Sequence, residues 1–198
     1  MADNRTRLSL KTNNRLPVSS GPAANLSSSD GIIFPYTPTI NYSQTVNYSQ
    51  YELIHTNYAI NSYVNSRPGN ITISAPFINQ TETEAKYTYG AIHFLRVVTK
   101  MHTGSSNNAG TPPPVLEFSS YGQGIFNRIP VLVGSFSTTF SNEVDYIKFE
   151  DDDNRGIINL PVTMEIQIEL IPQYSAEKQN KFSITTFADG KLYTGGYI

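Results

Sequence analysis

The chain has 198 residues, of which 38% are hydrophobic and 15% charged, with a formal net charge of −2. That length suits one ordinary domain with extensions, able to bury about 70% of its unfolded surface. A near-neutral balance gives no basic field for nucleic acid, and the absence of cysteine excludes a disulfide scaffold, a thiol nucleophile and a thiolate metal site.

Residues 1–30 are rich in Ser, Asn and Arg (Arg5, Arg7, Arg15, with Lys11) and show no hydrophobic period. They are expected to form an N-terminal arm, extended or disordered until assembly, and they lack an apolar signal core. Residues 31–198 are expected to form a single domain. The run Gly31-Ile-Ile-Phe-Pro-Tyr-Thr-Pro-Thr-Ile40 is cut by Pro35 and Pro38, which allows an edge strand at best. The near-repeat Asn41-Tyr-Ser-Gln44 and Asn47-Tyr-Ser-Gln50, followed by Tyr51-Glu-Leu-Ile-His55, is a β-prone, tyrosine-rich ribbon suited to lying on another surface. Arg67-Pro-Gly-Asn70 carries the composition of a turn, and Ile71–Ile78 that of a strand.

A helix is predicted over Glu82–His102. Thr81 with Glu84 forms a capping box, Glu82 suits the positive helix start, and Gly104 is a natural stop. Tyr87, Ala91, Phe94, Leu95, Val98 and Met101 share one face, and Gly90 within the helix points to close packing. Residues 104–114 form a loop ending in three prolines. Strands are predicted at Val115–Ser120, Ile129–Phe140 and Leu160–Tyr174, with an acidic run, Asp151-Asp-Asp153, between the last two. In Leu160–Tyr174 the alternation is nearly perfect. Val162, Met164, Ile166, Ile168 and Leu170 point one way; Thr163, Glu165, Gln167 and Glu169 point the other.

The C-terminal half resembles a known family. The residues that carry the likeness are PPPVLEFSSYGQGIFNRIPVLVGSFSTTFSNEVDYI, then LPVTMEIQIELIPQYS, then FADGKLYTGGYI. This order is similar to that of the baseplate tail tube initiator and tube cap proteins of contractile-tailed bacteriophages. The likeness covers about 112–198; the IFPYTP segment and the helix match more loosely, and residues 1–30 not at all.

The resemblance implies a mainly β tail-tube-like barrel or sandwich with one flanking helix, about 82–102. It implies a structural virion protein: a homohexameric ring that templates the tail tube and lines the channel for genome ejection. Its implied partners are its own copies, the tail tube protein, the baseplate hub proteins, and double-stranded DNA that passes without specific binding. No cofactor, metal or membrane is expected, and the location is the virion after assembly in the host cytoplasm.

Under this reading Glu117, Ser135, Ser137, Thr139, Glu165, Gln167 and Glu169 line the channel. Leu132, Phe136 and Phe140 oppose the last strand-mates of that set. Carboxylates and hydroxyls make none of the counterion-releasing contacts that hold DNA. The same alternation also suits the solvated face of an ordinary sandwich. Asp151, Asp152, Asp153 and Arg155 are expected at an inter-ring contact; as an EF-hand their pattern fails, because Arg155 and Pro161 interrupt the ligand spacing. His55, His93 and His102 form no metal motif, and no G-x-S-x-G elbow is present. The sequence therefore predicts no enzyme. Two alternatives stay open: the main tail tube protein, and a carbohydrate-binding β-sandwich, since Tyr and Asn also line sugar sites.

Overall fold

A computed structural model describes residues 5–11, 21–104, 109–122, 124–150 and 156–198. Seven antiparallel strands form the main sheet: β1 (Arg7–Leu10), β2 (Gly31–Ile33), β3 (Thr39–Tyr51), β4 (Ile60–Ile78), β5 (Leu116–Ser120), β6 (Phe126–Phe140) and, last in the chain, β9 (Thr163–Pro172). Their spatial order is β2-β1-β5-β6-β9-β4-β3, and a separate hairpin pairs β7 (Tyr146–Glu150) with β8 (Ile157–Pro161). The protein is mainly β, as expected, but among the described residues the sheet does not close into a barrel.

One face of the sheet is apolar because the period-two pattern of each strand is in phase with its neighbours. Leu8, Ile73, Phe118, Val131, Ile166 and Ile168 all lie beneath it, fully buried. Helix α1 (Glu82–Val98) covers this face with Ala85, Ala91, Phe94, Leu95 and Val98. Its capping box is present as predicted: Thr81 Oγ1 accepts the Glu84 amide at 3.3 Å, and Glu84 Oε2 accepts the Thr81 amide at 3.3 Å. The helix ends four residues before the predicted His102. Thr99 donates its hydroxyl to the Leu95 carbonyl at 2.9 Å, and the His102 backbone is held instead by Thr111 and Gly110. Gly90 lets a 3-10 turn at Pro22–Leu26 approach, since a Cβ there would stand 2.6 Å from the Pro22 carbonyl oxygen.

Several expectations change. Within the stretch 1–30, β1 sits between β2 and β5 in the sheet, and the Pro22–Leu26 turn buries Ala23 and Leu26 against α1. Arg67-Pro-Gly-Asn70 is not a turn but lies inside β4. It stands opposite a register shift at Ser43, where a Cβ on Gly69 would run into Ser43 Oγ. The chain reverses instead through residues 52–59. The predicted strand Leu160–Tyr174 is two strands: the chain leaves the β7–β8 hairpin at Val162 and enters the main sheet as β9. A buried relay holds that junction, with Thr88 donating to Asn79 Oδ1 at 2.6 Å and Asn79 Nδ2 to the Pro161 carbonyl at 3.0 Å. After β9 come two one-turn helices, α2 (Ala176–Asn180) and α3 (Ile184–Ala188), neither of which buries a residue.

Candidate functional site

Among the described residues, no helix lies over the centre of the opposite face of the main sheet. Cross-strand pairs share a face, so register fixes which side chains stand together there. Ser135 pairs with Glu169, which pairs with Thr72, which pairs with Asn41. Below that row Ser137, Gln167, Ser74 and Thr39 line up in the same way, and below that Thr139, Glu165 and Pro76. The result is a strip of hydroxyls and amides around two carboxylates, about 13 Å apart from the strand rise.

Both carboxylates are held by neutral donors. Glu169 accepts from Asn70 Nδ2 at 2.7 Å and from Ser135 Oγ at 3.0 Å. Glu165 accepts from the Ser74 hydroxyl and, at 3.3 Å, from Gln167 Nε2. These bonds, Ser74's first, hold the Glu165 carboxyl below the ordinary range. Neither carboxylate is ion-paired among the described residues, so the strip keeps its negative charge while its oxygens are fixed in direction.

Six of the seven residues expected on the channel face stand together here: Ser135, Ser137, Thr139, Glu165, Gln167 and Glu169. Glu117 does not join them. It pairs with Pro130 at the far end of the same face, where Arg128 Nε meets its Oε2 at 2.9 Å and neutralises it. Leu132 is a correction. A bulge between Val133 and Ser135 resets the alternation, so Leu132 pairs with Ile171 on the polar side while Phe136 and Phe140 face the core side. Asp151, Asp152, Asp153 and Arg155 lie outside the described residues. Asn70, Thr72 and Ser74 were not foreseen, because sequence does not say that β4 is the neighbour of β9.

The sheet coils strongly: Tyr42 of β3 packs edge-on against Phe126 of β6 at 6.0 Å, although two strands separate them in the order. Even so, among the described residues β3 and the outer half of β6 lack a strand partner on one side. β3 has a neighbour on one side only, and β6 is unpaired beyond Val131 on its β5 side, because β5 begins at Leu116 just after Pro112-Pro113-Pro114. Phe140, at the open end of β6, is 51% exposed.

At the other end of the open face the chain folds back. Lys178 Nζ sits 5.2 and 4.9 Å from the Tyr174 and Tyr197 ring centres and donates to the Gly196 carbonyl at 3.2 Å. Tyr197 in turn donates to the Lys178 carbonyl at 2.8 Å. No helix among the described residues is long and apolar enough to cross a membrane, and no cluster of three or more potential metal ligands occurs among them.

No protein family's sequence profile matches the chain, and no curated protein matches it. Among solved structures it is similar to a chain of the anti-feeding prophage (AFP) baseplate, determined by cryo-EM with 6-fold symmetrisation. The identity is 11%, the TM-score 0.34, and the alignment covers 88% of this chain and 92% of that one. A TM-score this low establishes neither a shared fold nor a shared function.

Proposed function

We propose that this chain is a structural, non-enzymatic subunit of a contractile-tail particle: a baseplate tail tube initiator that closes into a hexameric ring and templates the tail tube. The observation that carries the reading is one sheet with an open polar face on which, among the described residues, β3 and the outer half of β6 each have an unpaired edge. Pairing the β3 edge of one copy with the β6 edge of the next makes the sheet continuous from subunit to subunit. Closing the ring then removes both edges, which otherwise invite uncontrolled pairing. A neighbour's strand at this position also covers Phe140.

In such a ring the strip of Glu165, Gln167 and Glu169 faces the lumen. Its pinned carboxylates repel phosphate, so double-stranded DNA slides through without being held. The sequence resemblance over about 112–198 supports the same assignment and names its partners: the tail tube protein on one side and the hub proteins on the other. The location is the virion.

Negative-stain microscopy of the purified chain, alone and mixed with the tube protein of the same particle, tests this. Rings alone and tubes only in the mixture are expected. Long tubes from the chain alone would make it the main tube protein. No ring or tube at any salt concentration would sink the reading.

A further inference from the structure

Beyond the register shift at Ser43, β3 and β4 leave the sheet as a two-stranded arm, roughly 25 Å long from the usual rise per strand residue. Gln44–Tyr51 pairs only with Ile60–Pro68, because β9 reaches no further along β4 than Ile71. An isolated two-stranded ribbon is marginal in water, and this one buries little. At its tip Leu53 is 55%, Ile54 86% and Tyr58 86% exposed. The tip is nevertheless held in one shape: Thr56 donates its hydroxyl to the Leu53 carbonyl at 2.9 Å and the Tyr58 carbonyl at 3.3 Å, with His55 at a positive φ of 63°. A pre-shaped apolar tip on a stalk is an interaction device, since the ordering cost of binding is already met.

The fork where the arm departs forms a groove of about 1150 Å³ between the arm base, the end of β9 and the C-terminal layer. Ile171, Tyr174, Phe182 and Tyr197 give it an apolar and aromatic wall. Arg67 carries the charged side chain among the described residues of its lining, and Glu52 is the acidic residue of the tip. Neither Arg67 nor Glu52 is ion-paired among the described residues. The arm rises from this groove, so its tip stands away from the groove of its own chain and can fill only that of another.

We propose that the arm tip of one copy seats in the fork groove of a second copy, with Leu53, Ile54 and Tyr58 against Ile171 and Phe182, and Glu52 paired with Arg67. The contact joins two different patches of the same chain, so it is heterologous and repeats until it closes or runs on. It rests on the self-assembly reading above, and adds to the edge pairing a second contact between copies.

The chain has no cysteine, which makes the test clean. Ile54→Cys and Phe182→Cys, both at exposed positions, are prepared as separate chains and mixed under mild oxidation. The expected product is a disulfide-linked heterodimer that appears only in the mixture. In parallel, Glu52→Arg or Arg67→Glu alone weakens self-association by about tenfold or more, since each sets like charges face to face, and the two together in one chain restore it. Rings without the 54–182 disulfide would overturn the arm contact and leave the ring reading standing. The disulfide in open polymers without rings would do the reverse. A tip that enters phosphatidylcholine vesicles while copies never crosslink would also overturn it.

Discussion

The Tyr87 hydroxyl accepts the Ile33 amide at 2.7 Å and donates to the Ile33 carbonyl at 2.8 Å. One side chain of helix α1 thus satisfies both backbone groups of Ile33 on the edge strand β2. That flank of the sheet is stoppered at Ile33, whereas among the described residues β3 on the opposite flank carries no such plug. Tyr87→Phe leaves both Ile33 groups without this partner and is expected to cost about 1–3 kcal/mol, read as a lower midpoint in urea with an unchanged slope.

Three tyrosines give the fold an alkaline limit. Burial pushes the Tyr174 phenol up to about 12, offset in part by the Ile198 backbone, and raises Tyr42 and Tyr87 as well. Between pH 10 and 12 the unfolded chain releases the Tyr174 proton while the folded chain retains it, so stability falls as pH rises through that window, and the raised Tyr42 and Tyr87 act in the same direction. Thermal melts at stepped pH are expected to drop across it, and Tyr174→Phe to drop less steeply.

On the open face the sign reverses. Glu165 titrates below its ordinary value chiefly because Ser74 donates to it, so its small contribution is present at neutral pH and lost as pH falls through the folded value. Ser74→Ala is expected to move the carboxyl titration of Glu165 upward, toward the ordinary range. Carbon-detected NMR of the side-chain carboxyl measures this, and an unmoved curve would show that Gln167 alone sets it.

Gly90 carries a packing prediction. Alanine is the better helix former by up to about 1 kcal/mol, yet its Cβ would meet the Pro22 carbonyl oxygen at 2.6 Å. Gly90→Ala is therefore expected to destabilise the fold by about 1–3 kcal/mol, in the range of an overpacked core. Chemical denaturation checks the sign: a stabilised variant would mean that the 3-10 turn yields freely.

Charge reversal tests the proposed lumen. The assembled wild-type ring is expected to show no salt-dependent affinity for double-stranded DNA. With Glu165→Lys and Glu169→Lys together, affinity should appear and fall with salt, the logarithmic slope growing by about 0.9 for each phosphate engaged. Fluorescence anisotropy across a salt series gives that slope.

What the sequence made readable followed from local rules. The Thr81–Glu84 box and the strict alternation through Glu165, Gln167 and Glu169 each declare themselves within a few residues, and the structure keeps both. Non-local facts stayed hidden. β1 offers two buried leucines, Leu8 and Leu10, in a stretch whose composition resembles a tail. Arg67-Pro-Gly-Asn70 has turn chemistry but marks the place where the arm parts from the sheet. Leu132 kept the wrong phase because a bulge cannot be seen without its partner strand. Glu117 looked like a member of the acidic strip until the pairing of β5 with β6 set Arg128 beside it. The α2 and α3 helices are too short to show a helical period.

The placement of β1 has a kinetic consequence. Leu8 pairs with Phe118, and Thr6 shares a hydrogen bond of 2.6 Å with Ser120, 114 residues away. Contacts of such separation pay their loop-closure entropy before any return and slow folding. During synthesis the first strand waits, unpaired with β5, until more than half of the chain has left the ribosome. The sheet is thus completed late, when β1 enters between β2 and β5.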